Sequence, residues 1–164
     1  MPERQTIERA RRDKREGKAA STQAGEFVRE EIEHIREGKH GARSAKQAIA
    51  IGLSKARRAG VDLPPPEPGE ASQAMRRKAE SDRKAGKHAT KKVSKKRATA
   101  TKQALKREST AAASKTALSR QAKAAAKKRP ASERSAAARK AARTKGAATR
   151  SQAAHKAAET RARG

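Results

Sequence analysis

The sequence predicts a chain that is mostly α-helical in its N-terminal third, as an αα-hairpin preceded by a charged helix. It then continues as a basic tail that is disordered or transiently helical. Three observations predict this. Apolar residues recur at helical spacing over 24–35 and 45–56. The string LPPPEPG at 63–69 interrupts the chain with consecutive prolines. Beyond residue 70 the composition narrows to Lys, Arg, Ala, Ser and Thr. The expected organisation is a small helical module over 1–62 with its hairpin at 22–60, a Pro-rich linker at 63–70, and a low-complexity basic tail at 71–164.

The first segment, 2–16, is a charged helix whose one sizeable apolar residue is Ile7. Ser21 and Thr22 are placed to cap the next helix, where Ala24, Phe27, Val28, Ile32 and Ile35 fall on one face. Glu26, Glu30, Glu31 and Glu33 occupy the other faces, and Gly38 is a stop signal. Ser44 caps a second helix carrying Ala45, Ala48, Ile49, Leu53 and Ala56 in register. Gly60 ends it, with Val61 placed for the apolar contact of a Schellman closure. The connection GKHGAR at 38–43 is short enough to make the two helices antiparallel neighbours.

A hairpin of this size buries too little to fold alone without a staple. Phe27, Val28, Ile32, Ile35, Ile49 and Leu53 are therefore expected to form a hairpin core or a homodimer face. The proline string that follows, with fixed φ and no amide donors, reads as an extended polyproline spacer.

Charge divides across that spacer. Residues 1–63 hold 15 Lys/Arg against 10 Asp/Glu, whereas residues 71–164 hold 29 against 5, so a balance of +5 gives way to +24. Large apolar residues thin out as well. The tail has Met75, Val93, Leu105 and Leu118 beside 29 Ala, which is too little for a core of that length. Self-repulsion is expected to keep it expanded, with helix induced once its charge is neutralised and with Pro130 interrupting any helix. A Gly-Lys step recurs at Gly17, Gly38 and Gly86, and a Gln-Ala pair at Gln23, Gln47, Gln73, Gln103, Gln121 and Gln152. The spacings are irregular and no unit has an apolar face of its own, so the recurrences read as duplication drift rather than a solenoid.

Several function classes lose their footing here. The longest uncharged apolar run, Ala48 to Leu53, is far short of the roughly 20 residues of a membrane span. The N-terminus is charged from Glu3 with no apolar segment, so no secretory signal is expected, and the expected location is cytoplasmic, at the nucleoid. There is no Cys to supply a disulfide, a thiol nucleophile or a thiolate zinc ligand. His34 and His40 are the one close histidine pair, but six residues and a loop separate them, so neither metal nor cofactor is expected. No phosphate-binding loop, dinucleotide fingerprint or nucleophile elbow is present, and the expectation is a protein that is not an enzyme.

The overall charge of +27 points instead to a polyanionic partner, with DNA favoured over RNA. The expected contacts in the tail are Arg76, Arg77, Lys78, Lys91, Lys92, Lys95, Lys96, Arg97, Lys127, Lys128, Arg129, Arg139 and Lys140. In the hairpin they are Lys39 and Arg43 of the turn and Lys46, Lys55, Arg57 and Arg58 of the second helix. These cations are dispersed, so they suit phosphates rather than base edges. A helix-turn-helix reader would need a third helix and a tighter turn. Phosphate contact by Lys39, His40, Arg43 and the amides at the Ser44 helix start fits better. Phe27 is the one aromatic residue and belongs to the hairpin face, which leaves no platform for base stacking.

The stretch TQAGEFVREEIEHIREGKHGARSAKQAIAIGLSKARRAG at 22–60 resembles a short bacterial domain of no known mechanism, carried by proteins often labelled as plasmid stabilisation proteins. Residues 71–164 are similar in composition to the tails of linker histones and of histone-H1-like bacterial nucleoid proteins, although the Ser-Pro-Lys-Lys unit is missing. The second likeness implies neutralisation and compaction of DNA. The expected function is sequence-independent DNA binding and compaction, with a link to plasmid maintenance implied by the first likeness. The alternatives are an RNA- or ribosome-associated basic protein, and a protein-interaction hairpin with an accessory tail.

Overall fold

The computed structural model describes residues 2–87, 94–144 and 146–162, and helices run through all three stretches. In order they are α1 (Arg4–Arg15), α2 (Ala20–Arg36), α3 (Ala45–Arg58), α4 (Gln73–Lys87), α5 (Lys95–Lys106), α6 (Lys115–Lys128), α7 (Ala131–Thr144) and α8 (Ala147–Ala162). A 3-10 turn at Thr110–Ala113 sits between α5 and α6. The chain divides into two compact units, Met1–Gln121 and Ala122–Gly164.

Helix is thus not confined to the N-terminal third, and the expectation of a disordered or transiently helical tail is overturned. Among the described residues, five of the eight helices lie beyond residue 70, and α8 is a formed helix close to the C-terminus. Charge repulsion argues for an expanded chain, but Ala is the strongest helix former and Lys and Arg rank close behind it. In α7 and α8 the described side chains are exposed, apart from a half-buried Ala142, so local propensity rather than burial accounts for these helices. Pro130 separates α6 from α7, and its carbonyl accepts from the Arg134 amide.

In the first unit α2 packs on both α1 and α3, and α3 packs on α4. The α2 start differs from its expected form. Ala19 is the N-cap and makes no side-chain bond, so Ser21 and Thr22 lie inside the helix. The preceding turn fixes that start instead: Lys18 Nζ pairs with the buried Asp13 at 2.8 Å, and Gln23 Nε2 donates to the Lys18 carbonyl at 2.8 Å. Ser44 does cap α3, its Oγ accepting from the Gln47 amide at 3.2 Å.

The α3 end is a Schellman closure. Gly60 sits at φ +91°, where a Cβ would be strained, and its amide donates to the Arg57 carbonyl. The Val61 amide reaches back to the Ala56 carbonyl, and the two side chains meet in the core. Paired bonds of the same kind close α1 at Gly17 and α2 at Gly38, so two of the three recurring Gly-Lys steps are helix stops. The third, Gly86, lies within α4.

Among the described residues two small cores hold the unit. Phe27, Ala10, Ala24, Ala56 and Val61 form one, with Ile7, Leu53 and Leu63 against it. Ile35, Ala42, Ala48, Ala112 and Ala113 form the other, with Ile32 against it. The apolar stripe of α2 is therefore covered by α1 at one end and by the 3-10 turn at the other. Val28 and Ile49 are half-buried, and the exposed stripe that motivates a homodimer is not there. Small residues let the helices come this close: a Cβ on Gly52 would stand 2.7 Å from Val28 Cα, and one on Gly86 would overlap the Arg57 carbonyl oxygen. The proline string is fastened rather than free. Arg57 donates to the Leu63 and Pro64 carbonyls at 3.2 and 3.0 Å, and Arg76 donates to that of Pro66 at 3.1 Å.

Candidate nucleic-acid interface

The expected cationic contacts sort into two groups. The first group has partners within the fold, whether buried or exposed. Asp82 of α4 is 1% exposed and gathers Arg58 at 2.7 Å, Ser54 Oγ at 2.6 Å and Lys78. Burial pushes the Asp82 carboxyl up, but the hydrogen bonds from Lys78, Ser54 and Arg58 outweigh it and hold the group below its ordinary range. Burial likewise lowers the Arg57 guanidinium, against the opposing charge of Asp82. Lys55 is half-buried against Glu31 and lies 3.8 Å from Glu30. Lys55, Arg57, Arg58 and Lys78, with Arg76 on the proline string, therefore each have a partner in the fold, Arg57 buried and Lys55 half-buried, while Arg58 and Lys78 keep about half of their side chains exposed. With Arg57 buried and Lys55 paired, α3 has no continuous basic face to lay in a groove.

The second group is exposed. Arg77, Lys46, Lys95, Lys96, Arg97, Lys127, Lys128, Arg129, Arg139 and Lys140 all face solvent. Lys39 and Arg43 are exposed too, although Lys39 pairs with Glu37 at 2.8 Å and Arg43 approaches Glu108 at 3.7 Å. Hydrogen bonding to Glu37 pushes the Lys39 ammonium above its ordinary value. Lys91 and Lys92 lie outside the described residues. His40, expected to share a phosphate with Lys39 and Arg43, is turned inward toward Glu31.

Helix formation brings order to cations that look scattered in one dimension. At about 100° per residue, Lys95, Lys102 and Lys106 share one stripe of α5, some 16 Å long. Arg120, Lys123 and Lys127 share one stripe of α6 by the same geometry. All six side chains are exposed. Lys102, Lys106, Arg120 and Lys123 are absent from the expected contacts, and their spacings of seven, four and three are the signal that points to them. The first turn of α5 is Lys95-Lys96-Arg97 with no acid among them and no side-chain bond from Ser94. Cations at a helix start oppose the macrodipole, and a bound phosphate relieves that opposition.

A cluster of a different kind lies where α2 meets the α2–α3 loop. His34 and His40 come together with ring centroids 6.4 Å apart, and buried Glu31 stands between α2 and the second ring. Glu3 Oε1 is 2.9 Å from His34 Nε2, and that contact, with Lys39 assisting, holds the Glu3 carboxyl below its ordinary value. The closure at Gly38 turns the chain back and brings His40 home, a fold-back that spacing along the sequence does not reveal.

Residues 3–67 match a family of unknown function, DUF6496. The match spans α1, α2, α3 and most of the proline string, and ends before α4. No curated protein and no solved structure matches the chain. Among the described residues no helix is long and apolar enough to cross a membrane.

Proposed function

We propose that this protein binds duplex DNA through its phosphates, without reading sequence, and compacts it in the manner of a linker-histone-like nucleoid protein. The observation that carries the reading is the split between its cations. Several of those in the hairpin have partners in the fold (Lys55 with Glu30 and Glu31, Arg58 with Asp82, Arg57 with backbone carbonyls), while those of α5 and α6 stand exposed in stripes. The unneutralised charge is concentrated where residues 71–164 carry a balance of +24.

Such a surface exchanges condensed counterions for Lys and Arg, so affinity is electrostatic and falls steeply with salt. Phe27, the one aromatic residue, is 1% exposed and offers no base a stacking partner, which favours duplex over single strands. The reading places the protein at the nucleoid and without an enzymatic activity of its own; a role in plasmid maintenance would follow from DNA binding rather than from a separate site. Gel shifts of the whole chain with duplexes of unrelated sequence, repeated with structured RNA as competitor, test it. Equal retardation of all duplexes, little competition from RNA and a steep salt slope are expected. Free migration at low salt overturns the reading, and preferential release by RNA transfers it to an RNA partner.

A further inference from the structure

We propose that Glu31, His34 and His40 form a binding site for a divalent transition-metal ion of the zinc class. The inference is independent of DNA binding. One ligand atom from each of the three residues lies within 4.8 Å of the others, drawn from the last turns of α2 and from the loop that follows.

Chemistry favours this set. Two imidazoles and a carboxylate suit a borderline cation, and the site has no thiolate to draw softer ions. Glu31 and His34 stand three apart on α2, the spacing that turns a carboxylate and an imidazole to one side of a helix. His40 Nε2 lies 3.3 Å from Glu31 Oε1. Two ligand atoms each about 2.1 Å from a tetrahedral ion stand roughly 3.4 Å apart, so the pair is already at coordination spacing.

Proton placement points the same way. His40 Nδ1 is 3.1 Å from the Gly41 carbonyl, an acceptor, so that nitrogen carries the hydrogen. Nε2 is then the ring nitrogen that faces Glu31 Oε1. A backbone carbonyl fixing the tautomer of a histidine is also the usual outer support of a metal ligand. Glu3, 2.9 Å from His34 Nε2, is placed to orient the second ring in the same way.

Glu31 supplies the independent observation. It is wholly buried, and neither of its carboxylate oxygens, nor Glu30 Oε1, has a hydrogen bond of acceptable geometry. Lys55 pairs with Oε2, which leaves Oε1 facing His40. The adjacent buried carboxylates of Glu30 and Glu31 share the single ammonium of Lys55, whereas exposed Glu3 has Lys39, so the buried pair carries an excess of negative charge that a dication meets. His34 and His40 keep about one-seventh of their side-chain surface open, so an ion has a way in. The ion would clip the α2–α3 loop to α2, and that loop donates through Gly41 and Ala42 to the Leu105 and Ser109 carbonyls.

The test titrates chelator-treated full-length protein with Zn²⁺ by calorimetry, and with Co²⁺ by visible absorption. One ion per chain, d–d bands of tetrahedral intensity and a raised thermal midpoint are expected. His34→Gln and His40→Gln should each abolish the bands and lower affinity at least a hundredfold, while Glu3→Gln should weaken binding roughly 10–100-fold. His155→Gln, on exposed α8, should change nothing. Helical circular dichroism checks that each variant is folded. Zinc binding by folded wild type no tighter than by folded His40→Gln, or loss on His155→Gln alone, overturns the site.

Discussion

The Gly41 amide donates to the Leu105 carbonyl at 2.9 Å, tying the loop of the hairpin to the end of α5. The next amide, Ala42, donates to the Ser109 carbonyl, and Arg36 Nε donates to that of Ala113 at 3.0 Å. Residues 105–113 therefore complete the hairpin, and Ala112 and Ala113 close its second core. A fragment ending at residue 70 uncovers Ile35, Ala42 and Ala48. It should melt below the 1–121 fragment, and amide exchange at Gly41 and Ala42 should speed up. Equal midpoints for the two fragments would show that the later residues contribute nothing.

The two glycines of the hairpin helices should respond in opposite directions. Gly25 lies exposed inside α2, and a Cβ added there would meet nothing within 4 Å, so Gly25→Ala should stabilise by about 0.5–1 kcal/mol. Gly52 faces the Val28 backbone, which cannot swing aside, and Gly52→Ala should cost about 1–3 kcal/mol. Chemical denaturation of both variants reads the difference.

Asp82 should give the fold a pH dependence. Its carboxyl titrates below its ordinary value of 3.8 because Lys78, Ser54 and Arg58 donate to it against the effect of burial, with Arg57 adding charge nearby. A group lowered on folding stabilises above its unfolded-state value and loses that contribution as pH falls through the folded-state value. Melting temperature should therefore drop below about pH 4. Asp82→Asn should remove this component and cost about 1–2 kcal/mol at neutral pH, because three donors lose a charged acceptor while Arg58 and Lys78 stay solvated. An unchanged acid limb in the variant would contradict the assignment.

Cations should separate by role in a salt titration. Replacing Lys95, Lys102 and Lys106 together by Gln should weaken binding to every duplex alike and shallow the log–log salt slope by about 2.7. Arg58→Gln should leave the slope unchanged while lowering the melting temperature, because its partner is Asp82 rather than a phosphate. A slope that responds to Arg58 and not to the α5 triad would reverse the division.

The sequence carries its local structure openly and its long-range structure poorly. Ser44, Gly38 and Gly60 mark helix ends through bonds spanning a few residues, and the spacing of Phe27, Ile32 and Ile35 marks a buried face. What covers that face is not legible in the same way. Ala112, Ala113, Gly52 and Gly86 pack by being small, and counting large apolar residues passes over them. Arg57 and Asp82 look like surface charges until the proline string and α3 close around them. His34 and His40 look unrelated until the closure at Gly38 reverses the chain.

The fastening of the proline string by Arg57 has a chemical consequence. Prolines contribute acceptors and no donors, so the side chain that complements them must be rich in N–H groups and lack lone pairs. A planar guanidinium spans two neighbouring carbonyls at once, which a single rotating ammonium does not reproduce. The strap is thereby held by a charge that persists at any physiological acidity, and its grip does not depend on a carboxylate partner that salt could screen away.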